Sequence, residues 1–145
     1  MTFGRVALLV GVALLVLVAN VALSILYMVL YGHVIDPGHE EKYYNDHIQV
    51  AAPYCSIVAG MPLMFAAGWW VTGWWRRELG MRAAWVVWAA YAVIDLAIIA
   101  AAGISLEVGV LLVISISLAT KLAAVLFGAR TRLARPAEAN APPAA

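Results

Sequence analysis

The sequence predicts an all-α integral membrane protein. The expected form is a four-helix transmembrane bundle of antiparallel, up-down topology, with both termini cytoplasmic and a helical outer loop between spans one and two. Three observations carry this reading. Charged residues make up 12% of the 145-residue chain and hydrophobic ones 66%, and the mean hydropathy is +0.93. Soluble domains carry about 25% charged residues, and so few charges do not cover a soluble surface. Four apolar runs approach the roughly 20 residues that cross a hydrocarbon core of about 30 Å. Lys and Arg gather in the segments that an up-down arrangement places on one side.

Span one covers residues 6–30 without a charge. Arg5 is the only cation before it, and its apolar run exceeds the core of a signal peptide, so a retained span is expected. Span two covers residues 53–75 and contains Gly60, Pro62, Gly68 and Gly73. Pro62 removes the bond to the Val58 carbonyl, which predicts a kink. Span three, residues 84–104, is interrupted by Asp95, and span four, residues 108–127, by Lys121. Residues 1–133 thus form one transmembrane domain. The Pro- and Ala-rich end from Ala134, "ARPAEANAPPAA", has no apolar period and is expected to be a disordered cytoplasmic tail, residues 134–145.

Arg5, Arg76, Arg77, Arg82, Arg130, Arg132 and Arg135 flank one set of span ends, whereas Lys42 stands alone among the basic residues of the other two connections. This distribution predicts a cytoplasmic side for both termini and an outer side for residues 31–52. The tryptophans, Trp69, Trp70, Trp74, Trp75, Trp85 and Trp88, flank the inner connection, and Tyr27, Tyr31, Tyr43, Tyr44 and Tyr54 lie toward the outer side. Two interfacial belts follow from their amphipathic rings. The excess of Arg over Lys and the abundance of Ala are associated with bacteria, which makes the cell (inner) membrane the expected location. Net charge of +1 offers nothing to nucleic acid. The single cysteine, Cys55, excludes an internal disulfide. The bilayer is the expected partner, with a protein partner or homo-oligomer left open.

Asp95 and Lys121 are the charges placed inside spans. Each costs about 2.5–3.5 kcal/mol at a helix centre, while a Val, Ile or Leu repays only about 0.3–0.6 kcal/mol. Side chains lean toward their helix's N-terminus, so on antiparallel neighbours these two lean toward each other. An intramembrane Asp95–Lys121 pair is therefore expected, either fixing register or relaying protons or ions. Span one carries a polar stripe, Asn20, Ser24, Tyr27 and Tyr31, on one helical face. The stripe should face other helices or a wet cavity.

The segment "YGHVIDPGHEEKYYNDH", Tyr31 to His47, holds His33, His39 and His47 and four carboxylates, Asp36, Glu40, Glu41 and Asp46. "DPG" reads as a helix start, with Asp36 as N-cap and Pro37 at the first helical position. That helix would run through His47 and bend at Pro53. Three roles fit the segment: a solvated helix-capping loop, a pH-responsive loop, or a divalent metal site drawing on His33, Asp36, His39, Glu40 and His47. The ligand spacing matches no compact metal motif.

No nucleophile elbow, P-loop or cysteine pair is present. The first functional expectation is therefore a non-catalytic accessory or assembly protein of the membrane. The second is a small cation- or proton-coupled transporter using Asp95 and Lys121 with the outer histidines. The third is a lipid- or quinone-directed enzyme with an outer His and carboxylate site. A transporter should show a polar cavity joining the outer loop to Asp95 through Asn20, Ser24 and Tyr27. An enzyme should show its histidines and carboxylates converging, and a structural protein should show Asp95 closed off and the histidines splayed.

Overall fold

The computed structural model describes residues 2–75, 77–103 and 107–135. The chain forms an all-α bundle of four long helices: α1 (Phe3–Leu30), α2 (Glu41–Thr72), α3 (Arg77–Ala101) and α4 (Val108–Ala134). They contain 28, 32, 25 and 27 residues. At 1.5 Å per residue each exceeds about 30 Å, and all four are long and apolar enough to cross a membrane. Residues 136–145, most of the expected tail, lie outside the described residues, as do Arg76 and residues 104–106 of the connection between α3 and α4.

Each helix buries one stripe. α1 buries Leu9, Val12, Ala13, Val16, Leu17 and Asn20, at alternating steps of three and one that keep to one helical face. α3 contributes Ala83, Ala84, Val87 and Tyr91 to the core. The outward faces stay apolar: Leu15, Val58, Val93 and Leu112 are all more than half exposed. That inverts the soluble pattern and suits a lipid surrounding.

The closest helix approach joins α2 to α4. A Cβ built on Gly68 would strike the backbone carbonyl of Val125, and one built on Gly128 would strike that of Phe65. Small residues allow such backbone contact between membrane helices, where dispersion replaces the hydrophobic drive. α3 is tied in by Trp88, whose indole N–H donates to the Leu118 carbonyl at 3.0 Å. Near the start of α3, Thr72 donates to the Gly80 carbonyl at 3.4 Å. Five of the tryptophans form edge-to-face pairs at that end, Trp70–Trp74 and Trp74–Trp75 at 5.0 and 5.9 Å and Trp85–Trp88 at 5.8 Å between centroids. Arg132 lies 4.6 Å over the Trp69 ring.

The connection between α1 and α2 departs from the sequence expectation. α1 continues into a π-helical turn, Tyr31–Ile35, and α2 begins at Glu41, four residues beyond Pro37. Asp36 closes the π turn instead of capping α2, because its carboxylate is taken by tyrosine and histidine donors. Gly38, with φ of +96°, supplies the left-handed residue that the reversal needs. Pro53 does not interrupt α2, which runs as one helix through both Pro53 and Pro62. Each proline removes one N–H, which a helix in apolar surroundings tolerates.

Candidate functional site

All four helices contribute a polar residue to one point in the bundle. Asn20 of α1 donates from Nδ2 to the Ser56 hydroxyl of α2 at 3.1 Å and to the Tyr91 hydroxyl of α3 at 3.2 Å. Lys121 of α4 donates from Nζ to Ser56 and to Ser117, both at 2.9 Å. Its ammonium also lies 4.8 Å from the centre of the Tyr91 ring. Lys121 is completely buried, and Gly60 makes room for it: a Cβ there would overlap the lysine's Cε. Asn20 Oδ1 is a buried acceptor with no hydrogen-bond partner among the described residues. Such a group calls for a donor from elsewhere, since burial without a bond costs about 1–3 kcal/mol.

Lys121 does not meet Asp95 directly. Its two hydrogen bonds go to serines, and the only ion pair within 4.0 Å among the described residues joins His39 to Asp36. The physical reason is packing: α4 lies tightest against α2, so the lysine stem runs past Gly60 and ends between Ser56 and Ser117. Asp95 remains within electrostatic reach of Lys121. Its carboxylate makes no hydrogen bond to a described residue and lines a cavity of about 540 Å³ between α2, α3 and α4. Ser56 and Ser117 sit on the same wall, with Gln49 the remaining long polar side chain. Pro53, Ile99 and Val113 are among its apolar walls.

The polar stripe of α1 divides its duties. Only Asn20 reaches the centre. Ser24 bonds back to the Asn20 carbonyl at 3.1 Å, a local bond open to any helical serine. Tyr27 and Tyr31 turn to His47: the Tyr27 hydroxyl lies 3.3 Å from Nε2, and the Tyr31 ring stacks on the imidazole with centroids 3.9 Å apart. Tyr27 and His47 line a separate hollow of about 610 Å³ beside Cys55. The expected route from the loop to Asp95 through Ser24 and Tyr27 is therefore not the one formed. The Asp95 cavity extends instead past Gln49 and Ile48 of α2.

The candidate metal residues do not converge. His33 Nδ1 donates to the Val29 carbonyl at 2.9 Å, His39 Nε2 contacts Asp36 Oδ1 at 3.0 Å, and His47 is held by the two tyrosines. Glu40 is the N-cap residue of α2 and makes no side-chain cap bond. Among the described residues no three His, Cys, Asp or Glu side chains are grouped to hold a metal ion. Asp36 is the hub of a small network. It accepts from Tyr43 at 2.8 Å and from Tyr31 at 3.3 Å, while Tyr44 donates to its backbone carbonyl at 2.8 Å. The Tyr43 bond foremost, then the His39 bond, hold the Asp36 carboxyl below the usual carboxylate range.

Ser56, Gly60, Tyr91 and Gln49 were not among the residues singled out for chemistry from sequence. A signal for the first three exists: Asn20–Ser24, Ser56–Gly60, Tyr91–Asp95 and Ser117–Lys121 each lie four apart, one such pair per helix. The chain matches no protein-family model, no curated protein and no solved structure.

Proposed function

We propose that the protein is a small proton- or cation-coupled transporter of the inner membrane, with Asp95 and Lys121 as its working charges. The observation that supports it is the position of Asp95. A carboxylate inside a membrane span is expensive, yet this one faces a cavity and makes no hydrogen bond to a described residue. A charge kept only for register would be closed off and hydrogen-bonded. The four-span chain runs up and down through the membrane, with both termini cytoplasmic and residues 31–52 outside. Contacts such as Asn20–Ser56 with Tyr27–His47 support antiparallel α1 and α2, and the Trp and Arg cluster supports an inner interface at the α2–α3 end. An accessory role gives the cavity nothing to do, and an outer enzyme site draws little support from histidines bound to three different partners.

The test is flux in proteoliposomes carrying a pH dye in the lumen. An imposed gradient of a small cation, inorganic or organic, should drive proton movement that Asp95→Asn abolishes and Ser115→Ala leaves intact. Absence of proton movement across a panel of both cation types would sink the transport reading.

A further inference from the structure

We propose that the Asp95 cavity takes an organic monocation with an apolar body, held at its positive end by the Asp95 carboxylate and exchanged for one proton. This names a substrate class for the transport reading and rests on it for the role of the site. Among the described residues Asp95 is the only ionisable one on the cavity wall, and it has no hydrogen bond to any of them. A carboxylate in apolar surroundings needs a positive partner or a proton. The volume of about 540 Å³ falls in the range of small-molecule sites, about 300–1,000 Å³.

The wall chemistry selects among cations. Calcium wants about six to eight oxygen ligands and magnesium a hydrated octahedron. Here one carboxylate and one amide stand beside two hydroxyls that already accept from Lys121. The remaining walls are apolar, and they suit the hydrocarbon body of an amine or quaternary ammonium. An anion would meet Asp95 first, because Lys121 lies behind Ser56 and Ser117 and is not on the wall.

The proton follows from charge balance. The titratable groups facing one another are Tyr91 and Asp95 of α3 and Lys121 of α4; α1 and α2 bring Asn20 and Ser56, which do not titrate. Two positive charges beside one carboxylate repel strongly where the dielectric is low. Entry of the cation therefore sends one proton from the Asp95–Lys121 pair to solvent, and departure of the cation lets it return.

Calorimetry on the full chain in nanodiscs tests this with three probes of one body: benzyltrimethylammonium, benzyl alcohol and benzenesulfonate. The cation should bind at least tenfold more tightly than the other two. Heats in buffers of different ionisation enthalpy should give about one proton released per cation bound. Asp95→Asn should weaken the cation at least tenfold, Asp95→Glu should retain it, and Val113→Trp, which fills the cavity, should abolish binding with the helical spectrum unchanged. Equal affinity for the three probes, full affinity in a folded Asp95→Asn, or binding without proton release each overturns the proposal. If Asp95→Asn does not fold, the Glu and Trp variants decide it. Binding with proton release but no flux in liposomes overturns the transport reading alone. Proton-coupled flux of an inorganic cation without benzyltrimethylammonium binding overturns this inference alone.

Discussion

Gly60 and Lys121 occupy one space: the missing side chain of the glycine is where the lysine's Cε lies. Gly60→Ala should therefore destabilise the bundle by about 1–3 kcal/mol, the usual penalty of overpacking, although alanine is the better helix former. Unfolding in mixed micelles measures it. In the double variant with Lys121→Ala the two effects should not add, because the clash disappears with the stem. Additive effects would show that the two residues do not share this volume.

Gly68→Ala and Gly128→Ala should each destabilise by about 1–3 kcal/mol or more, since backbone cannot step aside as a side chain can. Gly4 and Gly11 have nothing within 4 Å of a built Cβ. Their alanine variants should be neutral or slightly stabilising. A flat series across all four would deny the close α2–α4 approach.

The Asp36 network predicts an acid transition with a definite sign. The carboxyl is depressed below its ordinary value of 3.8 by the Tyr43 and His39 bonds. Its contribution is complete above that ordinary value and disappears as pH falls through the depressed one. Hydrogen exchange across residues 31–44 should accelerate below about pH 4. Asp36→Asn should show fast exchange already at neutral pH, with the step gone. A step that persists in this variant would assign it to another carboxylate.

Orientation is tested with single cysteines in a Cys55→Ala background. His39→Cys should react with an impermeant maleimide in intact cells, and Ala145→Cys only after the membrane is opened. The reverse pattern would invert the topology.

The four long apolar helices were legible because hydropathy is a sum over many residues and needs no knowledge of neighbours. Asp95 and Lys121 were legible as exceptional for the same reason. Their partners were not. Sequence places α3 beside α4 through a short connection, so Asp95 was matched to Lys121. Nothing in it gave the register of α2 on α4, which depends on three glycines fitting against a lysine stem and two carbonyls. The loop failed differently. "DPG" is a sound local helix start, but Asp36 had a stronger offer from Tyr43 and His39, seven and three residues away. Local capping competes with such bonds, and here it lost.

The contact of Gly68 and Gly128 with opposing carbonyls has a mechanical consequence. Neither interface carries a side chain that could swing aside and let one helix slide past the other, so α2 and α4 act as a single stiff spar. For the proposed transport, the moving part is then α1 and α3 against that spar, to which Asn20 is held by Ser56 and Trp88 by the Leu118 carbonyl.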